Sequence, residues 1–274
     1  MILSIKDVEM EAKINTKGGE LISIFKSGEE YLWQGDPQFW SGQSPLLFPI
    51  VGHLKDDAIK IRGQECKMGV HGFIKGTEFD VECHTENKLV LSTKYTEATL
   101  LQYPFRFRFA VAFQIEAGRL QIEYTIENLD DVELVYNFGL HPGFRCDLFE
   151  GDCIENYYIE FPKEVTLDSA VFTPEIRVEL QNKKRIVDNS KQFWFVDAVF
   201  ARTLIFENVD FDAVWLCHKE KGRILHLQYT GFPMFWIVNP FLYKFLSNYN
   251  SKITGSNIAQ APMQPLSIIP IDII

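Results

Sequence analysis

Apolar and polar residues alternate with a period of two along most of this sequence. The clearest case is residues 105–113, Phe-Arg-Phe-Arg-Phe-Ala-Val-Ala-Phe, where the aromatic side chains fall on one face of an extended chain and the arginines on the other. Half-buried antiparallel strands show this period, because successive side chains point to opposite faces of the sheet. The same alternation predicts strands at residues 21–25, 78–83, 88–94, 120–128, 134–138, 157–161, 178–180, 204–207, 213–217 and 224–229, with a charged hairpin at 60–65.

The arrangement of these segments predicts an all-β fold. No span has a long apolar pattern with the 3.6-residue period of a helix, and the strands neither alternate with helices nor recur at a fixed sequence period. Strands typically have roughly 5–6 residues, so we expect about 15 or more of them, arranged as an antiparallel β-sandwich with two large sheets. Because no segment rich in Gly, Pro or Ser marks a boundary, residues 1–274 are predicted to form a single domain.

Three histidines stand in short glycine-bearing interruptions of the strand pattern. His141 lies between Gly139 and Pro142-Gly143, where a strand ends and the backbone bends. His53 ends the proline-bearing run 44–53, and His71 lies in the Val-His-Gly-Phe segment 70–73. An imidazole titrates near roughly pH 6.5, so each could give or take a proton near neutrality. The alternative is that each histidine satisfies a backbone group at a turn.

The composition limits the classes of molecule that the protein is expected to bind. The formal net charge is -10 and no Lys/Arg cluster stands out, which argues against nucleic acid and favours a small molecule. The five cysteines have neither disulfide-framework nor zinc-ligand spacing, so we expect buried or idle thiols and no metal. Neither a signal peptide nor a run of about 18 apolar residues is present, so a cytoplasmic protein that does not enter membranes is expected.

With these motifs placed, the sequence resembles the aldose 1-epimerase (galactose mutarotase) family. The resemblance rests on the run 44–53 and on the segments Val70-His71-Gly72-Phe73, Tyr103-Pro104-Phe105 and Gly139-Leu140-His141-Pro142-Gly143-Phe144. It implies a single-domain antiparallel β-supersandwich whose concave face binds a sugar. It also implies that His141 is the general acid at the ring oxygen, that His71 binds and polarises the same region, and that no cofactor is required.

The sequence departs from the family pattern at three places. His53 stands where the family commonly has an arginine, and an imidazole cannot replace a forked guanidinium donor. Arg202 or Thr203 fills the position of a sugar-binding aspartate. The third departure concerns the general base, a glutamate near the C-terminus, because residues 221–271 contain no Asp or Glu. Asn239, Asn248 or Tyr249 aligns there, and an amide cannot serve as a base at neutral pH.

Three interpretations remain open. The chain could be an aldose 1-epimerase whose base is Asp56, Asp57, Glu207, Asp212 or another histidine. It could instead bind or sense carbohydrate without catalysis, or use its concave face for a protein partner. We expect the ligand to be a hexose or a related sugar. The protein could also form a homodimer. The predicted catalytic residues are His141 and His71, and the predicted sugar contacts are His53, Asn239, Asn248, Phe144 and Trp40.

Overall fold

The computed structural model describes residues 1–172, 178–196, 203–238 and 267–274. These residues form antiparallel strands with one short α-helix, α1 (Glu97–Gln102). In chain order the strands are β1 (Ile2–Lys6), β2 (Met10–Asn15), β3 (Glu20–Lys26), β4 (Glu29–Glu30), β5 (Leu46–Leu47), β6 (Ala58–Ile61), β7 (Gln64–Lys67), β8 (Asp80–His84), β9 (Lys88–Lys94), β10 (Phe107–Glu116), β11 (Arg119–Asn128), β12 (Gly139–Leu140), β13 (Tyr157–Phe172), β14 (Val178–Trp194), β15 (Leu204–Glu207), β16 (Ala213–His218), β17 (Gly222–Gln228), β18 (Met234–Ile237) and β19 (Ser267–Ile273). The predicted all-β antiparallel fold is confirmed.

The strands divide unequally between two main sheets. Within the described ranges, one sheet has eleven strands in the order β18-β15-β13-β16-β17-β19-β11-β10-β9-β8, with β14 paired to β13, and the other has four in the order β1-β2-β3-β4. Two further pairs, β5 with β12 and β6 with β7, lie outside these sheets. The sequence pattern predicts two large sheets. The second sheet is smaller than predicted, because it contains only β1 to β4.

The alternating pattern puts one face of each long strand into a shared core. On β10, Phe107, Phe109 and Phe113 are buried, whereas Arg108 on the other face pairs with Glu82 and Glu127 at 2.6 Å each. The same core cluster includes apolar residues of the four-stranded sheet, such as Ile5, Ala12, Ile14 and Ile24. Burial of this apolar surface between the two sheets is the main stabilising contribution to the fold.

The structure corrects several predicted strands. Residues 134–138 form no strand, because a nearby loop and side chain take their backbone groups: Asn137 donates to the carbonyl of Pro49 at 2.9 Å, and Tyr103 donates to that of Val135 at 2.7 Å. Strands β13 and β14 are far longer than predicted. Helix α1 went unpredicted because six residues are too few to show a helical period, although Thr96 and Thr99 form a capping box at its start.

Two smaller expectations concern the hairpin and the thiols. The predicted charged hairpin is present as β6 and β7, and its two-residue turn has both Arg62 and Gly63 at positive φ, as tight hairpins require. All five cysteines lie in the described ranges and are free thiols; Cys66 and Cys217 are buried, whereas Cys153 is exposed. In the described part of the chain, no helix has the length and hydropathy needed to cross a bilayer.

Candidate active site

Short strand pairings bring the three histidine segments together. β5, in the run that leads to His53, pairs with β12, which ends just before His141. Phe48, the residue that follows β5, forms a parallel bridge to Gly72, the neighbour of His71. Segments that are far apart in sequence are therefore held side by side by their own backbones.

Further backbone contacts fix the turn that follows His141. The Gly143 N–H donates to Gln43 at 2.8 Å, and the Trp33 N–H donates to the Gly143 carbonyl at 2.8 Å. A Cβ at Gly143 would lie 2.8 Å from the Trp40 ring. Only glycine allows the backbone to approach the indole so closely. This contact keeps Trp40 beside His141.

His141 lies half-buried between an indole and a second imidazole. Its ring centroid is 4.7 Å from that of Trp40 and 6.1 Å from that of His71. Burial lowers the pKa of His141, and the ammonium of Lys75 lowers it further, whereas a hydrogen bond to its own backbone opposes the shift. The ring is therefore predominantly neutral at pH 7 and is a stronger acid than free imidazole once it is protonated.

His71 is held in one tautomer by the backbone of Gly52. The Gly52 N–H donates to Nδ1 of His71 at 2.9 Å, and the His71 N–H donates to the Gly52 carbonyl at 2.7 Å. Because Nδ1 accepts, the neutral ring carries its proton on Nε2. Burial, His141, Lys75 and His53 lower the pKa of His71 to about 3. His71 is thus a fixed, neutral hydrogen-bond donor, and its φ of 66° lies in the left-handed region, which histidine adopts more often than most residues do.

His53 forms a pair with Asp57 across a one-turn 3₁₀ helix, Lys55–Asp57. Nε2 of His53 contacts Oδ1 of Asp57. Asp56 and Asp57 have φ values of 57° and 55°, in the left-handed region that Asp tolerates better than most residues, and these angles fold the carboxylate back toward the ring. The His53 side chain is 10% exposed and that of Asp57 is 62% exposed, so the imidazole is covered while the carboxylate is in contact with solvent.

The other predicted site residues have different surroundings. Trp40 is next to His141 as expected, whereas Phe144 bridges to Leu32 and packs against the hydrophobic core. Asn239 and Asn248, as well as Arg202 and Tyr249, lie outside the described residues. The roles predicted for all of these side chains stay predictions.

Of the proposed replacement bases, Glu207 is engaged elsewhere and Asp212 lies beside Tyr229. Glu207 forms an ion pair with Lys183 at 3.0 Å, in a groove of about 330 Å³ along β13 and β15 whose lining contains none of the pocket histidines. The backbone carbonyl of Asp212 accepts from the N–H of Tyr229. Burial and the negative charge of Asp212 both raise the pKa of Tyr229, whose hydroxyl is buried without a hydrogen-bond partner among the described residues.

Sequence reasoning did not single out Lys75, whose charge helps to keep both pocket histidines neutral. Its Nζ donates to the Val70 carbonyl at 2.9 Å, and its position four residues after His71 was the available signal. Within the described ranges, no group of three or more His, Cys, Asp or Glu side chains is arranged as metal ligands.

Comparisons with known proteins agree with the antiparallel β fold. A family model described as aldose 1-epimerase matches residues 1–249. The plasmid-encoded protein LacX of Lactococcus lactis subsp. lactis is 29% identical over 287 residues, covering 99% of this chain and 96% of that protein. Two solved structures share the fold: a galactose mutarotase related enzyme from Lactobacillus acidophilus (24% identity, TM-score 0.79, 100% of this chain and 86% of that one) and a galactose mutarotase-like protein from Lactobacillus casei ATCC 334 (20%, 0.77, 98% and 87%).

Proposed function

This chain belongs to the aldose 1-epimerase family, and from that premise we propose that it binds a hexose or a related sugar and interconverts its α and β anomers by opening the ring. The observation that supports the proposal most directly is the pair formed by His71 and His141. Their rings lie 6.1 Å apart, one locked as a neutral donor and the other neutral and protonatable. Two imidazoles held in different states suit a reaction in which one proton arrives as another leaves.

The two histidines have different roles in this proposal. Protonated His141 donates to the ring oxygen of the sugar, and its lowered pKa makes it a stronger acid in that step. His71 cannot supply a proton in this way near neutral pH, because its pKa is about 3. Instead, its Nε2–H donates a hydrogen bond to a sugar oxygen and stabilises the negative charge that develops there.

Trp40 supplies an apolar surface for the sugar. Its ring packs against His141 at 4.7 Å, and it is held there by the hydrogen bond from Nε1 of Trp33 to the Trp40 carbonyl at 2.7 Å. The C–H face of a pyranose is apolar enough to pack on an indole. A sugar on Trp40 would have its ring oxygen within reach of the imidazole.

Carbohydrate binding without catalysis is the second candidate function. It is favoured by the absence of Asp and Glu from residues 221–271, where the resemblance places the family's general base. A pocket that has lost its base would still bind the sugar through Trp40 and His71. This candidate predicts saturable sugar binding with no change in the rate of anomer exchange.

The test follows the anomeric protons of freshly dissolved α-galactose and α-glucose by NMR, with wild-type and His141→Ala protein. We expect the wild type to accelerate exchange and the variant to be about 10²–10⁴-fold slower. The matched control is His84→Ala, because His84 is an exposed residue of β8 whose Nε2 contacts the Ser4 carbonyl. Equal rates for His141→Ala and wild type would disprove the role of His141, and binding without acceleration by the wild type would establish the second candidate.

A further inference from the structure

Lys75 lies in a one-turn 3₁₀ helix, Ile74–Gly76, that follows the His71 segment. The N–H at the start of this helix donates to the Phe48 carbonyl at 3.3 Å, which holds the helix to the backbone that also bridges to the His71 segment. From there the Lys75 side chain returns to the beginning of the segment, where its Nζ donates to the Val70 carbonyl at 2.9 Å. The ammonium is therefore bonded to the residue next to His71.

The charge of Lys75 acts on both central histidines of the pocket. It acts on His71, four residues earlier, and on His141, which belongs to a separate segment of the chain. The other groups whose charges act on His71 are His141 and His53. Among the described residues, no carboxylate acts on either ring. The electrostatic field at the two histidines is therefore positive, and a field of this sign favours a negatively charged ligand.

Lys75 has no counter-ion within the described ranges. Its hydrogen bond there is to the neutral Val70 carbonyl, and an ammonium has three N–H donors. Burial lowers the pKa of Lys75, and no neighbouring carboxylate opposes this shift. Lys163, by contrast, pairs with Asp210 at 2.6 Å. Because the Lys75 side chain still has contact with solvent, its remaining N–H groups are accessible to a ligand that enters the pocket.

We propose that Lys75 binds a negatively charged group on C6 of the sugar, a phosphate monoester or a carboxylate, and so makes the site selective for anionic hexoses. This inference rests on the function proposed above. In a pyranose, C5 is bonded to the ring oxygen and carries C6, so a charged group on C6 lies close to the oxygen that His141 protonates. The net charge of -10 repels an anion at long range, but salt screens that repulsion beyond about 8–10 Å, whereas the ammonium acts at contact.

An anion on Lys75 also favours the protonated form of His141. Burial and the charge of Lys75 lower the pKa of His141, so the ring is predominantly neutral at pH 7 when no ligand is bound. A negative group beside the ammonium offsets its charge and stabilises the imidazolium directly. The anionic sugar thus brings His141 into the state that can donate a proton, whereas a neutral sugar leaves the effect of Lys75 uncompensated.

The test measures anomer exchange by NMR magnetisation transfer between anomeric protons, with each rate corrected for the rate without protein. The probes are glucose, glucose 6-phosphate and glucuronate, together with their three galactose counterparts. We expect kcat/KM for at least one of the two anionic classes to exceed that for the neutral sugar by about ten- to a hundredfold, the value of a hydrogen bond between charged groups. Comparison of phosphate with carboxylate identifies the anion.

Three variants test whether Lys75 is the source of this selectivity. Lys75→Met should abolish the preference for the anion and should exchange neutral sugars no more slowly than the wild type, because the loss of the charge also raises the pKa of His141. Lys75→Arg, which keeps the charge, should retain most of the preference. Lys163→Met removes a lysine that pairs with Asp210 and is the matched control, with wild-type behaviour expected.

Calorimetric binding of the same sugars separates this inference from the function on which it rests. A wild type that accelerates no exchange, yet binds anionic sugars more tightly than neutral ones through Lys75, would support the role of Lys75 and overturn anomer exchange. Neither exchange nor binding would overturn both. Similar kcat/KM values for all six sugars, a preference that persists in Lys75→Met, or equal losses for neutral and anionic sugars would overturn the role of Lys75. If Lys75→Met fails to fold, Lys75→Gln replaces it, since the amide can still donate to the Val70 carbonyl.

Discussion

His218 and His53 each contact an aspartate, but the two pairs differ in their access to water. In the His218 pair the side chains of His218 and Asp152 are 4% and 5% exposed. In the His53 pair the histidine is similarly covered at 10%, yet Asp57 is 62% exposed. Desolvation therefore acts on both members of the first pair and on only one member of the second.

The surroundings of Asp152 show what a buried pair needs in order to be stable. Burial alone would raise the pKa of Asp152, but hydrogen bonds from Tyr157, from the Phe149 N–H and from Asn156 outweigh it and lower the pKa. His218 adds a bond at 3.1 Å. With both oxygens of Asp152 satisfied, the pair joins β16 to the turn before β13. Asp57 has no such set of donors among the described residues, and its carboxylate is largely in contact with solvent.

The largest expected difference between the two pairs is in stability. Asp152→Ala should lower the free energy of unfolding by about 3–5 kcal/mol, because it leaves His218, Tyr157 and Asn156 without their buried partner. Asp57→Asn, which keeps a side chain that tolerates the positive φ of this position, should lower it by less than about 1 kcal/mol, as is usual for an exposed ion pair. Urea denaturation followed by circular dichroism measures both. Similar losses for the two variants would contradict the division into a buried pair that stabilises the fold and a partly exposed pair that contributes little.

A smaller effect should come from pH, through His71. Its pKa in the folded protein is about 3, below the usual 6.5, so as the pH falls the unfolded chain takes up this proton first. The stability that comes from keeping His71 neutral is fully present above about pH 6.5 and is lost progressively as the pH falls toward 3. Between pH 6.5 and 5 it should cost about 2 kcal/mol of stability, since each unit corresponds to about 1.4 kcal/mol.

The control for this pH dependence is His71→Asn, because Asn tolerates positive φ. The variant should show a weaker decrease in stability between pH 6.5 and 5 than the wild type. A direct check is the ¹⁵N spectrum of the His71 ring, which should show the Nε2–H tautomer unchanged across this range. A ring that titrates near pH 6.5 would mean that His71 is not a fixed neutral donor.

Much of this architecture could be predicted from the sequence, for reasons visible in individual segments. The alternation at residues 105–113 predicted the buried aromatic face of β10, since a period of two is a local property of an extended chain. The same rule failed at residues 134–138, where the Pro49 carbonyl takes a backbone donor from far away in sequence. Periodicity identifies residues that could form a strand but not the partner that their backbone finds.

The sequence predicted the individual histidine motifs of the site but not the contacts between their residues. The glycines around His53, His71 and His141 identified three motifs, and the structure brings them together. The tautomer of His71 depends on the N–H of Gly52, 19 residues earlier. The contact between His53 and Asp57 depends on two consecutive left-handed aspartates. Neither feature leaves a pattern in the sequence, because both come from backbone geometry.

The smallest expected effect is at the third pair, His226–Asp272. Here Nδ1 of His226 lies 3.3 Å from Asp272, which also pairs with Arg119, and both members of the pair are partly exposed, at 20% and 22%. Asp272→Asn should therefore cost less than about 1 kcal/mol of unfolding free energy and leave the rate of anomer exchange unchanged. Urea denaturation and the NMR exchange assay on one preparation check both. A loss of activity in this variant would mean that catalysis depends on residues other than those around His71 and His141.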